Sequence, residues 1–262
     1  MKHTPAFFGL AASVLVPTAR RKVVANLRLI RGEASTLREV LETGRTFTNY
    51  AGCLAEVLSN GSKNARVPDA ELIGRERVLE AAAHKKGIVV VTIHTGGWES
   101  VGPFFSRIGL KVMMVMEPER DARARALQDD ARRAAGLVVA HVGVDPLDSL
   151  PLLRHLQAGG VVALQVDRLP PGIRTERVRL LGAPGEIPLG PLRLAQVSGA
   201  PLVPIFCSRL AYRRYQLEAL PPIFLPRRAS REEVAEAAQK VADAVTAFLR
   251  VHPTQWFHFG ER

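Results

Sequence analysis

The chain has 262 residues, of which 47% are hydrophobic and 23% charged, so an ordinary globular protein with a sizeable core is expected. Its formal net charge of +11 predicts an acidic partner, for which nucleic acid, anionic lipid and a phosphorylated substrate all qualify. Aromatic residues make up only 6% of the chain, which argues against stacking on single-stranded bases.

The N-terminal segment is apolar and then strongly basic. Residues 6–16 (AFFGLAASVLV) precede Pro17, and Arg20, Arg21 and Lys22 follow. This apolar run is too short to span a bilayer as a helix, which takes about 20 residues. The basic residues stand where a secretory signal would have its cleavage site and a neutral flank. We therefore expect an in-plane anchor on the cytoplasmic leaflet, with a core helix as the alternative.

The two cysteines, Cys53 and Cys207, lie far apart in the sequence and neither belongs to a C-x-x-C pair. This spacing suggests neither a zinc site nor a disulfide framework. We expect two buried free thiols in a reducing compartment, and no metal.

Beyond the anchor, apolar residues at helical spacing predict helices over residues 20–60. From residue 73 onwards, predicted helices and strands alternate, which favours a mostly parallel central sheet flanked by helices. We therefore expect an α/β fold with a helical, membrane-associating N-terminal extension (residues 1–62) and one α/β domain (residues 63–262). The predicted helices of that domain are 73–85, 97–108, 120–135, 147–157, 190–198 and 229–251, and the predicted strands are 88–93, 111–116, 137–142, 161–166 and 202–207.

The end of strand 88–93 carries the strongest chemical signal. In such sheets, sites lie at the carboxyl ends of strands, and here His94 is followed by Thr-Gly-Gly-Trp and then by Glu99. The two glycines permit a tight turn, so a carboxylate in the next helix can fold back onto the imidazole and stabilise its protonated form. No G-x-S-x-G nucleophile elbow is present. The simplest nucleophile is therefore the substrate's own hydroxyl, deprotonated by His94.

A second strand, 161–166, ends at Asp167 and Arg168. The guanidinium of Arg168 suits a polar acceptor or the phosphate of a carrier. A structural ion pair is the alternative for these two residues.

The sequence HTGGWE resembles the H-x4-D/E signature of the glycerolipid acyltransferase superfamily. Its local form resembles the bacterial lipid A biosynthesis (lauroyl/myristoyl) acyltransferase branch, which also contains phosphatidylinositol mannoside acyltransferases. Two features depart from the family: the apolar N-terminal segment is shorter, and Glu99 stands where many superfamily members have Asp. The other matching segments, in chain order, are Asn26-Leu27, residues 116–120 (MEPER), Asp167-Arg168, residues 181–191 (LGAPGEIPLGP) and residues 199–204 (GAPLVP).

This resemblance implies a glycerolipid acyltransferase-like fold and an O-acyltransferase of lipid metabolism. The implied donor is an acyl carrier protein or coenzyme A thioester, the acceptor is a hydroxyl of a membrane glycolipid or phospholipid, and no other cofactor is needed. His94 would act as general base oriented by Glu99, without a covalent intermediate. The basic residues after the apolar segment, together with this donor, predict a place on the cytoplasmic face of the bacterial inner membrane, peripheral or shallowly anchored at an anionic surface. The implied substrate-binding residues are Trp98, Glu117, Arg132 (or its neighbour Arg133), Asp167 and Arg168. Gly96 and Gly97 are further candidates, because we expect their backbone N–H groups to stabilise the oxyanion.

Two other functions are alternatives to the enzyme. A non-catalytic lipid-binding protein on the same fold would keep the basic surface but would not need His94 paired with Glu99. A nucleic-acid binder rests on net charge alone, and no motif supports it, so we expect no nucleic-acid partner.

Overall fold

The computed structural model describes residues 4–59, 68–97, 109, 111–116, 121, 123, 126, 130, 137–142 and 146–260. Three helices come first, followed by alternating strands and helices. The helices are α1 (Thr4–Leu15), α2 (Pro17–Arg31), α3 (Thr36–Ser59), α4 (Arg75–Ala83), α5 (Leu150–Gln157), α6 (Gly190–Ser198) and α7 (Arg231–Val251). The strands are β1 (Asp69–Ile73), β2 (Ile88–Thr92), β3 (Val112–Met116), β4 (Val138–His141), β5 (Val161–Gln165), β6 (Thr175–Leu180), β7 (Ala183–Pro188), β8 (Leu202–Ala211) and β9 (Arg214–Ala219).

Seven of these strands form one sheet in the order β1-β9-β8-β2-β5-β3-β4. The five strands from β8 to β4 run parallel to one another, whereas β9 pairs antiparallel with β8 and β1 runs parallel to β9. The prediction of an α/β fold with a mostly parallel central sheet and an N-terminal helical region is therefore confirmed. Because β2 and β5 are parallel neighbours at the centre of the sheet, the polar residues that follow them lie together at the carboxyl ends of the strands.

Burial explains why the centre of this sheet is well defined. Every residue of β2 is buried, as expected for a strand covered on both faces. The long helix α7 buries an apolar stripe with helical spacing that includes Val234, Val241 and Phe248. It starts at a capping box, in which the Ser230 hydroxyl accepts from the Glu233 N–H and the Glu233 carboxylate accepts from the Ser230 N–H. The central strands that carry the site are therefore packed within a buried apolar core.

The helices α1, α2 and α3, which precede the first strand in the sequence, pack on one another. Gly9 allows α1 to approach α3 closely, since a Cβ at this position would lie 2.6 Å from the carbonyl oxygen of Phe47. No helix within the described residues is both long and apolar enough to cross a membrane. The boundary proposed at residues 62 and 63 falls between α3 and β1, in a stretch outside the described residues, and it stays a prediction.

Several elements differ from the sequence-based expectation. Residues 69–73 form β1 and the helix predicted from residue 73 starts only at Arg75, because Gly74 adopts a left-handed conformation between them. The hairpin β6–β7 and the strand β9 were not predicted. The predicted helix over residues 97–108 lies almost wholly outside the described residues. Of the one predicted over residues 120–135, positions 123, 126 and 130 are described as helical.

Candidate active site

The site lies where β2 and β5 end side by side. The parallel register places Thr92 opposite Gln165, so that His94 and Asp167, each two residues further along, come together. Their side chains form a hydrogen bond of 2.8 Å between His94 Nδ1 and Asp167 Oδ1. The Asp167 side chain is 2% exposed and the His94 side chain 17%, so the imidazole stands at the surface of the site with the carboxylate beneath it.

The Asp167 carboxylate accepts hydrogen bonds on both of its oxygens. The backbone N–H of His94 donates to both, at 3.2 and 3.1 Å, and the indole Nε1–H of Trp256 donates to Oδ2 at 2.9 Å. Together with the imidazole, these donors fix the carboxylate in position and in orientation. Such a fully hydrogen-bonded buried carboxylate is the kind that keeps its charge.

These contacts decide the ionisation of Asp167. Burial alone would raise the pKa of the carboxyl, but the hydrogen bond and charge of His94, together with the Trp256 bond, outweigh it and lower the pKa below its usual value. An ionised carboxylate can only accept hydrogen bonds, so Nδ1 of His94 must carry the proton that joins them. The other ring nitrogen, Nε2, is then the one that can take up a proton.

The C-terminal segment after α7 closes the site from the other side. Thr95 and Trp256 form an antiparallel bridge, and the backbone N–H of Phe257 donates to the carbonyl oxygen of His94 at 2.7 Å. The ring of the fully buried His258 packs against that of Trp256, with centroids 5.4 Å apart and a tilt of 32°, and its Nδ1 lies 3.9 Å from Asp167 Oδ2. Both backbone groups of His94 are therefore hydrogen-bonded, the N–H to Asp167 and the carbonyl oxygen to Phe257.

The two glycines after Thr95 form a turn that larger residues could not make. Gly97 has φ +79°, in the left-handed region, and a Cβ there would overlap the ring of Tyr215. A Cβ on Gly96 would overlap the side-chain oxygen of Gln255. Both glycines are buried, so the expectation that they permit a tight turn and close approach agrees with the geometry.

The remaining predicted site residues divide into two groups. Arg168 is exposed, and its Nη2 lies 3.5 Å from the carbonyl oxygen of Phe257, which is the limit of a hydrogen bond. The other predicted positions lie outside the described residues, and their roles stay predictions: Trp98, Glu99, Glu117 and Arg132.

Sequence reasoning missed two features of this site. It assigned the orienting carboxylate to Glu99, which stays a prediction, and did not foresee that Asp167, two residues past the end of the neighbouring strand β5, bonds to His94. Both residues lie two positions past the end of their strands, and this equal offset would predict their contact once β2 and β5 are known to be neighbours. Trp256 and His258 follow the last helix in an aromatic tail (WFHF) that has no distinctive spacing, so nothing marked them.

Comparison with known proteins identifies sequence relatives and a family. Phosphatidylinositol mannoside acyltransferases from two strains of Mycobacterium tuberculosis, CDC 1551 / Oshkosh and ATCC 25618 / H37Rv, are each 25% identical over 198 residues, which is 75% of this chain. The chain matches 61% of the length of these relatives. The profile of the family described as bacterial lipid A biosynthesis acyltransferase matches residues 2–262. Since that match covers nearly the whole chain, the protein belongs to the bacterial lipid A biosynthesis acyltransferase family.

Proposed function

We propose that this protein is an O-acyltransferase, which moves a fatty acyl chain from an acyl carrier protein or coenzyme A thioester to a hydroxyl of a membrane glycolipid or phospholipid. The observation that carries the proposal is the His94–Asp167 pair at the sheet edge. Membership of an acyltransferase family and similarity to phosphatidylinositol mannoside acyltransferases support the reaction class.

In this mechanism His94 is the general base. Its Nε2 accepts the proton of the acceptor hydroxyl while the hydroxyl oxygen attacks the thioester carbonyl carbon. The resulting tetrahedral intermediate expels the thiolate as the C–S bond breaks, and the imidazolium returns the proton to that sulfur. The acyl group passes directly to the acceptor, with no covalent enzyme intermediate.

Asp167 has the orienting role in this proposal. Its carboxylate holds Nδ1–H and stabilises the imidazolium that forms when Nε2 is protonated. Trp256 in turn holds the carboxylate. The prediction that Glu99 orients His94 falls on a residue outside the described part of the chain, and it stays a prediction beside this role of Asp167. Arg168, exposed beside the pair, has the charge and the planar fork that suit a phosphate of the donor or acceptor.

We place the protein at the cytoplasmic face of the bacterial inner membrane, as a peripheral or shallowly anchored protein. The surface of α1 supports this placement. The helix contains no charged residue, and the apolar side chains of Phe7 and Leu15 are 71% and 76% exposed, as an in-plane membrane anchor requires. Arg20, Arg21 and Lys22 follow in α2, where each cation near an anionic surface contributes about 1 kcal/mol. We expect Phe7→Ser to weaken sedimentation with vesicles that contain anionic lipid.

Acyl transfer by the purified full chain tests the function. Labelled acyl-carrier-protein and coenzyme A thioesters are offered with a panel of membrane lipids, and products are read by mass spectrometry. We expect His94→Ala to lose about 10²- to 10⁴-fold in rate, the usual contribution of general-base catalysis. The matched control is His84→Ala, which removes an exposed histidine at the end of α4 and should leave the rate unchanged.

The outcomes separate the candidate functions. Wild-type turnover in a folded His94→Ala variant would refute the mechanism. Lipid binding without transfer by the wild type, unchanged in the variant, would favour a non-catalytic lipid-binding protein on the same fold. Binding of DNA or RNA that weakens steeply with salt would favour the nucleic-acid binder instead.

A further inference from the structure

A second buried polar cluster lies on the other side of the Gly96-Gly97 turn, centred on Glu56 of α3. The residue is 1% exposed, and its Oε1 accepts from Arg209 Nε at 2.9 Å and Arg209 Nη2 at 2.6 Å. Oε2 accepts from the backbone N–H of Arg213 at 2.9 Å and from the hydroxyl of Tyr215. All four hydrogens come from β8, β9 and the turn between them, so this carboxylate ties α3 to the edge of the sheet.

The partners of Glu56 are the groups that touch the turn next to His94. The ring of Tyr215 occupies the space where a Cβ of Gly97 would lie. The backbone of Arg209 exchanges two hydrogen bonds with the side chain of Gln255, whose oxygen occupies the space above Gly96. Each glycine therefore rests on a group held in place through the Glu56 cluster.

The helix itself also reaches the turn, through residues close to Glu56. Burial raises the pKa of the Cys53 thiol to about 12, while the charge of Arg209 and, less strongly, hydrogen bonding from the backbone of Gly97 act against this rise. A Cβ at Gly52 would lie 2.9 Å from the guanidinium carbon of Arg209. This part of α3 thus packs against both the turn and the residues that support it.

We infer that Glu56 is a positioning residue, which holds the turn after His94 in place through Tyr215 and Arg209. Its catalytic consequence rests on the proposed function of His94. A carboxylate suits this task because the four groups that bond to it are all donors, and an amide in its place would set an NH₂ group against at least one of them. An imprecise turn would displace His94 from its reacting geometry without altering the surface that binds the donor.

Two substitutions test the inference, and a third is their control. Glu56→Gln keeps the shape of the side chain but removes its charge, whereas Tyr215→Phe keeps the ring beside Gly97 and removes only the hydroxyl. The control Glu42→Gln removes a carboxylate of the same helix, which accepts from Arg31 and Arg38. It lies about 21 Å from Glu56 along α3, by the helical rise.

The first measurement is hydrogen exchange, which needs no substrate. In both test variants we expect faster exchange in peptides containing residues 94–97 and unchanged exchange in peptides covering β5, residues 161–165. The second measurement is steady-state acyl transfer, where we expect kcat to fall about tenfold to a hundredfold while the KM for the thioester stays within about twofold. Glu42→Gln should behave as wild type in both measurements.

Two outcomes of the exchange measurement would overturn the inference. Equal acceleration of exchange in both peptides would assign Glu56 a general structural role, and unchanged exchange at residues 94–97 would remove its link to the turn. Local acceleration with an unchanged kcat would refute the catalytic consequence. If the wild type transfers no acyl group but local exchange still accelerates, the proposed function fails and the positioning of the turn is supported. Should Glu56→Gln not fold, Tyr215→Phe decides.

Discussion

Replacing Asp167 by Asn tests how His94 is held, because the geometry dictates which way the amide must lie. Trp256 Nε1–H can only donate, so the amide oxygen must stay on the side of the indole, where it accepts that bond. The NH₂ group is then directed at Nδ1 of His94. Nδ1 must become the acceptor, which moves the imidazole proton to Nε2, the atom that has to be unprotonated to act as a base.

The expected loss of activity is large and that of stability small. A base locked in the wrong tautomer loses its catalytic contribution, so we expect the rate of acyl transfer to fall about 10²- to 10⁴-fold. The amide keeps the bond from Trp256 and one from the backbone of His94, and it loses chiefly the charge. Hydrogen bonds to charged groups contribute about 1.5–3 kcal/mol, against a typical folding free energy of about 5–15 kcal/mol. The variant should therefore fold.

A second substitution turns this argument into a sharp test. Trp256→Phe removes the indole N–H, so in the Asp167→Asn background the amide can rotate and offer its oxygen to Nδ1–H. The double variant should then transfer acyl groups about tenfold faster than Asp167→Asn alone, as the productive tautomer is regained. In the wild-type background the same change can only remove a bond to Asp167, and we expect it to slow the reaction.

Initial rates of thioester consumption and product formation, measured on all four proteins with thermal unfolding as a check of folding, give the complete cycle. A gain in one background and a loss in the other would show the predicted coupling. If Trp256→Phe lowers the rate by the same factor in both backgrounds, the tautomer argument is refuted. Wild-type activity in a folded Asp167→Asn variant would refute the role of Asp167 itself.

Two further predictions follow from the same site. Gly97→Ala should lower the rate of acyl transfer more than Gly199→Ala, although both glycines have positive φ, because only the Cβ at Gly97 overlaps the ring of Tyr215; circular dichroism would confirm that both variants fold. The free energy of unfolding should fall in acid as pH drops through the lowered pKa of Asp167, since a carboxyl with a depressed folded-state pKa contributes stability above its unfolded pKa and loses it on protonation. Urea unfolding between about pH 6 and 3 measures this, and Asp167→Asn should show the shallower decline; an equal slope in both proteins would contradict the prediction.

The sequence allowed the central architecture to be predicted because its signals are local. The apolar run of residues 88–91 in β2 and the periodic apolar stripe of α7 each indicate their structure within a short stretch of sequence. The two glycines that follow Thr95 likewise predicted a tight turn. Edge elements gave weaker signals: β1 alternates between exposed and partly buried residues, and the hairpin β6–β7 contains Pro184 and Pro188, which are disfavoured in strands.

The pairing of side chains could not be predicted, because it depends on strand order. His94 and Asp167 are 73 residues apart, and nothing near either one indicates that β5 rather than β3 lies beside β2. A carboxylate five residues from His94 was therefore the natural choice for its partner. Glu56 is a stronger example, since it sits within an amphipathic helix and becomes notable only when α3 packs on β8 and β9.

The distances along the chain also bear on how the site forms. His94 obtains its carboxylate from β5, that carboxylate obtains a donor from Trp256, 89 residues later, and Arg209 reaches back 153 residues to Glu56. Contacts between such distant positions close large loops, whose entropic cost must be met before the contacts stabilise anything. The orientation of His94 therefore depends on contacts that the packed sheet and the C-terminal segment supply together. Without them, His94 at the end of β2 would lack the partner that fixes the tautomer required for general-base catalysis.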